Sequence, residues 1–301
     1  MADRLKLGMV GLDISHCTAF TQILHDSGFE HHVPGAEVTS AYPGGSPGFS
    51  RSRDRVGSFT EEMTKRYGVS IVETIGELAD RVDAVLLESV DGRQHLEQFE
   101  QLAVGKPVFI EKPLTCSTAE ARRIIEIAEA TGTPLVSCSA IRYARGIADL
   151  IEPGKAVHGC EAYGPAPLLD DYPGLFWYGV HSAEVLFLFM GAGCRRVRCL
   201  EHPSTDLVLG EWTDGRPGVI RGTRLEDPVF GCVVHTSEAV YHGQSSGNLP
   251  AYHAMLQDLV EFFGTGVPPI DAEETFQIIA FLEAAERSRK AEGRPVDLES
   301  L

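Results

Sequence analysis

Positive charge is scarce in this chain, and long apolar runs are missing. Its 301 residues include 26 Lys and Arg against 43 Asp and Glu, a formal net charge of −17. Proteins that bind a nucleic-acid backbone or an anionic membrane surface need a basic face, so neither partner is expected. No apolar run approaches the roughly 20 residues that a membrane-spanning helix needs.

Neither paired cysteines nor a secretory signal is expected. The seven cysteines are odd in number and widely spaced, and no Cys-x-x-Cys occurs. This pattern predicts reduced thiols rather than disulfides or a cysteine zinc site. The opening MADRLKLGMVG lacks the long apolar stretch of a signal peptide. These features together predict a cytoplasmic protein.

The first half of the chain alternates short apolar runs with amphipathic segments. Strands are predicted at residues 5–10, 37–42, 83–89, 107–110 and 134–138. The segments between them carry apolar residues at helical spacing, as in Phe20, Ile23 and Leu24. Such β-α-β alternation predicts an α/β, Rossmann-type, doubly wound parallel sheet.

The second half changes character. Extended segments at residues 156–163 and 195–242 are separated by turn signals such as Asp214-Gly215, which predicts a large, mainly antiparallel open sheet. Helices are predicted at residues 181–190, 250–263 and 272–291. We therefore expect a dinucleotide-binding domain at residues 1–120 and an α+β substrate and oligomerisation domain at residues 121–301. The C-terminal helices could pack back on the first domain.

The first strand ends in an incomplete glycine motif. Gly11 is followed by Asp13 and His16, where G-x-G-x-x-G has its second and third glycines. A strand-to-helix turn is the right place for a pyrophosphate, although a carboxylate there should repel one. The alternative is that Asp13, or Ser15, caps the helix.

The clearest local signal is Gly105-Lys-Pro-Val-Phe-Ile-Glu-Lys-Pro113. Glu111 and Lys112 follow a buried strand, at the end where open α/β sheets bind ligands. A lysine held near a cation loses its proton more easily and can serve as an acid–base group. The alternative is an ion pair at the surface.

Glu111-Lys112-Pro113, the later Gly179-Val180-His181 and a tail ending Glu292-Gly-Arg-Pro-Val296 resemble the glucose–fructose oxidoreductase / inositol dehydrogenase (Gfo/Idh/MocA) family. The likeness covers nearly the whole chain. It implies an NAD(P)-dependent oxidoreductase that moves hydride to or from a CH–OH group of a sugar- or polyol-like substrate. It also implies a homodimer or homotetramer, with the active site in the cleft between the domains.

The resemblance implies roles for particular residues. Lys112 and His181 would handle the hydroxyl proton, and Glu184 would orient His181. The implied cofactor-binding residues are Gly11, Asp13, Ser15, His16, Tyr42, Ser46, Arg51, Ser89, Asp91, His95, Glu111 and Lys112. The implied substrate-binding residues are Arg142, Tyr143, Trp177 and Tyr178.

Three departures from the family pattern matter. The glycine motif is broken, as described. No acidic residue follows the second strand, which reads Tyr42-Pro43-Gly44-Gly45-Ser46. A ribose 2′-hydroxyl lacks its usual acceptor there, and Arg51 could meet a 2′-phosphate, so NADP is favoured over NAD. Trp177 stands where the family's Asp-x-x-x-His motif has its aspartate.

Two other functions stay open on the sequence alone. One is a catalytically silent protein that binds a nucleotide or a partner, and the other is a non-redox lyase or isomerase on the same scaffold. No metal site is expected, because the pair His181-x-x-Glu184 supplies only two ligands.

Overall fold

The computed structural model describes residues 4–152, 154–225 and 229–301. The chain divides into two compact units. The first comprises Met1–Thr115, Glu120–Cys138 and Tyr252–Ala272, and the second comprises Cys116–Ala119, Ser139–Ala251 and Glu273–Leu301. Within the described residues, no helix is both long and apolar enough to cross a membrane.

The first unit contains the predicted Rossmann-type sheet. Six strands from the described part of the chain pair in parallel in the order β3-β2-β1-β4-β5-β6. The strands are β1 (Leu5–Val10), β2 (Ala36–Tyr42), β3 (Ser70–Ile71), β4 (Ala84–Leu87), β5 (Val108–Glu111) and β6 (Leu135–Cys138). The strand order reverses between β1 and β4, which is where ligands bind in open sheets of this kind.

Helices connect these strands. They are α1 (His16–His25), α2 (Ser50–Arg53), α3 (Val56–Tyr67), α4 (Ile75–Arg81), α5 (His95–Leu102) and α6 (Thr118–Thr131). β4 and β5 are buried along their whole length, which is why their sequences are continuously apolar up to Glu111. In α1 the predicted apolar residues Phe20, Ile23 and Leu24 are buried.

The second unit contains a seven-stranded sheet within the described residues, in the order β12-β11-β7-β10-β9-β8-β13. The strands are β7 (Val157–Pro165), β8 (Cys194–His202), β9 (Thr205–Trp212), β10 (Pro217–Thr223), β11 (Gly231–Thr236), β12 (Val240–Gln244) and β13 (Val296–Asp297). β7 and β10 pair in parallel, whereas the other pairs are antiparallel. The predicted fold class is confirmed.

The second sheet has one face covered by helices. α7 (Gly179–Met190) packs on β7 and β10, and it is apolar nearly all round because most of its residues are buried. The two C-terminal helices are α8 (Asn248–Thr265) and α9 (Ala272–Lys290). α8 belongs to the first unit from Tyr252 onward, and α9 to the second from Glu273.

Candidate active site

Loops from three strands meet at Gly11, directly after β1. Its φ is +86°, and a Cβ there would lie 2.4 Å from the Ser89 amide nitrogen, just beyond β4. The amides of Gly11 and Leu12 donate to the carbonyls of Tyr42 and Pro43, at 2.9 and 2.8 Å. Only glycine combines this conformation with so close an approach.

Asp13 points into the protein. One carboxylate oxygen accepts from Ser52 Oγ at 2.5 Å and the other from the Val90 amide at 2.9 Å. Burial raises the pKa of Asp13, against the effect of these hydrogen bonds. The interpretation of Asp13 as a helix cap is therefore wrong. Ser15 holds the N-cap position of α1, but its side chain makes no capping hydrogen bond.

The loop after β2 is tied to the loop after β4. Ser46 Oγ donates to Asp91 Oδ2 at 2.6 Å, and the Arg93 guanidinium donates to both oxygens of the same carboxylate. Burial alone would raise the pKa of Asp91, but the hydrogen bonds from Arg93 and Ser46 outweigh it and lower that pKa. Tyr42 is half-buried and Arg51 is exposed.

A cluster of charged side chains lies at the carboxyl ends of β4 and β5. His16 Nδ1 is 3.1 Å from Glu111 Oε2 and 3.6 Å from Glu88 Oε2, and its Nε2 is 3.1 Å from the Tyr252 hydroxyl. Lys112 Nζ lies 3.5 Å from Glu111 Oε1. We call His16, Glu88 and Glu111 the His–Glu–Glu cluster.

Burial and mutual charge shift the titration of this cluster. Burial raises the pKa of Glu88 to about 7. Burial alone would lower the pKa of His16, but the charge and hydrogen bond of Glu111 raise it well above its usual value. For Glu111, burial is outweighed mainly by the charge of His16, which lowers its pKa.

Two further residues predicted to bind the cofactor, Lys112 and His95, are also buried. The Lys112 residue is only 6% exposed, directly after β5. His95 is fully buried, with its ring nitrogens 2.7 and 3.0 Å from the carbonyls of Ser89 and Leu114. Burial lowers the pKa of His95. Its ring therefore braces the loop after β4.

In the second unit, His181 lies in the first turn of α7. Its Nδ1 is 2.6 Å from Ser139 Oγ, and the rings of Tyr178 and Phe230 pack edge-on against it at 5.2 and 5.1 Å. The sequence analysis did not single out Ser139. The only signal in the sequence was its position directly after β6. That signal is weak, because serines are common at strand ends.

Glu184 pairs with an arginine. Arg142 NH1 donates to Glu184 Oε2 at 3.0 Å, and Arg142 NH2 donates to Glu274 Oε1 at 2.7 Å. Burial raises the pKa of Glu184 to about 7, although Arg142 and the Ser139 amide act in the opposite direction. Ser139 thus connects Glu184 to His181 by contacting both. Glu274, 90 residues further along, was not predicted.

The side chain of Trp177 is buried among other aromatic residues. It is 6% exposed, with its ring 5.4 Å from that of Tyr172 and 5.5 Å from that of Tyr178. Tyr143 is half-buried at the end of a short 3₁₀ turn, Ala140–Tyr143.

The turn after β1 fits a dinucleotide despite the broken motif. Gly11 keeps the required backbone conformation, and the N-terminus of α1 has no side-chain cap. The Asp13 carboxylate is turned away and hydrogen-bonded elsewhere. Helix N-termini of this kind hold pyrophosphates through their amides.

This fold defines a two-unit protein whose first unit contains a Rossmann-type sheet. Residues 30–138 match the family model described as "Oxidoreductase family, NAD-binding Rossmann fold". That model is of the Gfo/Idh/MocA family, so the resemblance that the sequence motifs indicate is confirmed over this part of the chain.

Individual proteins are similar to this chain in sequence or in fold. Inositol 2-dehydrogenase of Cereibacter sphaeroides is 38% identical over 86 residues, which are 28% of this chain and 26% of that protein. The match thus spans about a quarter of that relative's length. Two Lactobacillus casei structures share the fold over nearly the full length of both chains. Apo scyllo-inositol dehydrogenase has a TM-score of 0.79 at 16% identity, covering 99% of each chain. Myo-inositol dehydrogenase with NAD(H) and myo-inositol has a TM-score of 0.75 at 16% identity, covering 98% of this chain and 97% of that one.

Proposed function

We propose that this protein is an NAD(P)-dependent oxidoreductase acting on a CH–OH group of a polyol or sugar-like substrate. The observation that carries the proposal is the buried Lys112, at the carboxyl end of the same sheet as the Gly11 turn. A lysine at that end of the sheet can act on a substrate hydroxyl. The similarity to inositol dehydrogenases supports the substrate class.

In this proposal the bound nicotinamide supplies the hydride chemistry. The amides at the start of α1 and the glycine turn at Gly11 would hold the diphosphate. Lys112 would take the hydroxyl proton during oxidation and return it during reduction. In the second unit, His181 would bind a substrate hydroxyl, with its ring oriented by Ser139 rather than by the aspartate that Trp177 replaces. Arg142, Tyr143 and Tyr178 would contact the substrate.

We further propose a preference for NADP. No carboxylate follows β2 in the loop that starts at Pro43, and the Ser46 hydroxyl is already donated to Asp91. Arg51 is exposed, and its guanidinium has the charge and the donors to pair with a 2′-phosphate. A tenfold or greater preference for NADH over NADPH in binding would contradict this part of the proposal.

The activity is tested by a substrate panel. The purified protein is incubated with NAD⁺ or NADP⁺ and with myo-inositol, scyllo-inositol and a set of hexoses, and reduced nicotinamide is followed by absorbance. The proposal predicts substrate-dependent reduction with at least one polyol or sugar. No reduction across the panel, and no oxidation of reduced cofactor with the matching ketones, would contradict it.

We also propose that the chain forms a homodimer or homotetramer through its second sheet. The face opposite α7 carries the half-buried apolar side chains Leu207, Leu209, Val219 and Val233. Neighbouring apolar side chains on the open face of a sheet can form an interface, and closed symmetric assemblies are the commonest solution.

A further inference from the structure

The His–Glu–Glu cluster has a feature that the proposed redox reaction does not use. Glu88 is fully buried, yet neither of its carboxylate oxygens has a hydrogen-bond partner among the described residues. Oε1 of Glu111 is likewise without a hydrogen bond within that part of the chain, although Lys112 Nζ lies 3.5 Å away. Buried carboxylate oxygens are strongly penalised unless something compensates for their lost hydration.

We propose that His16 Nδ1, Glu88 and Glu111 bind a divalent transition-metal ion. This inference is independent of the proposed oxidoreductase activity. Metal binding can be measured whether or not the protein oxidises a substrate. His16 opens α1, Glu88 follows β4 directly and Glu111 ends β5, so three different segments each supply one ligand.

The geometry suits an ion. One potential ligand atom from each side chain lies within 4.8 Å of the others. His16 Nδ1 is 3.1 Å from an oxygen of Glu111 and 3.6 Å from one of Glu88. With metal–ligand bonds of about 2.1 Å, neighbouring ligands lie about 3.0 Å apart in octahedral and about 3.4 Å apart in tetrahedral coordination. Small side-chain rotations therefore suffice to surround an ion.

The other ring nitrogen of His16 has the partner that a metal-bound histidine needs. Nε2 is 3.1 Å from the Tyr252 hydroxyl, and the ring stacks on Phe20 at 4.7 Å. When the ring is neutral and its Nε2–H donates to Tyr252, the lone pair of Nδ1 faces the two carboxylates. Because the raised pKa of His16 favours the doubly protonated ring, binding of an ion displaces the Nδ1 proton. Such outer partners fix the tautomer and orientation of a ligating histidine.

The donor set indicates which ions fit. One imidazole nitrogen and two carboxylates suit Zn²⁺ or Mn²⁺, and two carboxylates balance the charge of the ion. Three protein ligands leave at least one coordination position for water or for an oxygen of a bound ligand. The side chain of His16 is 12% exposed, which provides the side from which an ion can enter.

The test is metal titration of the tag-free, chelator-treated protein with ZnCl₂ and MnCl₂, followed by calorimetry and by metal analysis after gel filtration. We expect about one ion per chain for at least one metal. Absence of saturable binding of either metal by the folded wild-type protein would overturn the proposal without the use of any variant.

Variants locate the site. Glu88→Gln and His16→Gln should weaken binding by more than about 100-fold, whereas Tyr252→Phe should weaken it about 10- to 100-fold. Glu286→Gln, at a buried carboxylate of the second unit, should bind like wild type. Wild-type affinity in the folded Glu88→Gln and His16→Gln variants would contradict the assignment.

Absorption spectroscopy distinguishes a metal bound by His16, Glu88 and Glu111 from a metal bound by cysteine. The seven cysteines are free thiols, and Cys17 lies next to His16 in the chain. Cobalt(II) bound at nitrogen and oxygen donors gives d–d absorption without a thiolate charge-transfer band. A strong thiolate band in the wild-type complex would contradict the proposed donors.

Discussion

At the residue scale, Lys112 is the group on which the proposed chemistry depends most. Lys112→Ala should lower turnover about 10²- to 10⁴-fold, the usual contribution of a positioned acid–base group. Lys106→Ala is the matched control, because Lys106 precedes the same strand and its Nζ donates to the carbonyls of Ala79 and Val82. The control should lose stability while the folded fraction keeps its turnover.

The comparison is made by steady-state kinetics on protein whose folded fraction has been determined by circular dichroism. Full activity of Lys112→Ala would contradict its role as proton carrier.

Glu184 gives a pH prediction for stability. Burial raises its pKa from an ordinary 4.5 to about 7. A carboxyl whose pKa is raised by folding stabilises the protein fully below its unfolded pKa, and this contribution is lost as pH rises through the folded pKa. Relative to Glu184→Gln, the parent protein should therefore lose up to about 3 kcal/mol of unfolding free energy between pH 4.5 and 7.

Urea unfolding at several pH values measures this difference. Glu283→Gln is the control with the opposite sign. Burial of Glu283 is outweighed by its hydrogen bonds from Thr118 and Arg287, so its pKa is lowered. The parent should lose stability relative to that variant as pH falls through this lowered pKa. A pH-independent difference for Glu184→Gln would contradict the assigned shift.

At the scale of elements, the turn after β1 brings the backbone of Gly11 very close to Ser89. Gly11→Ala should destabilise the protein by about 1–3 kcal/mol or more, because the φ of +86° is strained for alanine and the new Cβ would meet Ser89. Gly57→Ala is the control. Gly57 lies in α3 with nothing within 4 Å of an added Cβ, so alanine there should be neutral or stabilising by about 0.5–1 kcal/mol.

Thermal unfolding and denaturant titration of both variants measure these effects. Equal stability of Gly11→Ala and the parent would show that the three loops do not close on Gly11 as described.

Strands and helices were predictable from the sequence where the pattern of apolar residues lies within the element itself. β4 and β5 read as apolar runs because both of their faces are buried, and α1 shows its helical spacing for the same reason. The His–Glu–Glu cluster was not predictable as a set, because its members come from the start of α1, the residue after β4 and the end of β5, and no spacing connects them. Ser139 was missed for a similar reason: its contact with His181 spans 42 residues.

At the scale of the whole molecule, the exposed face of the second sheet makes self-association testable. Leu207 and Val219 lie on neighbouring strands within the apolar groove of that face. Leu207→Glu with Val219→Glu should convert the assembly to a smaller species, because two charged side chains would replace apolar contacts and lose their hydration in the interface. Leu225→Glu is the control, since Leu225 is 65% exposed and lies after β10.

Light scattering after gel filtration gives the mass of each species. A monomeric parent protein at high concentration, or a double variant that forms an assembly of unchanged mass, would contradict self-association through this face of the sheet.

The proposed function requires that the first unit bind a nicotinamide dinucleotide. Calorimetric titration of the folded, substrate-free protein with NADPH and with NADH tests it most directly, in chelator-treated and Zn²⁺-loaded samples alike. The account predicts saturable binding of about one dinucleotide per chain, tighter for NADPH. No saturable binding of either dinucleotide in either sample would contradict it.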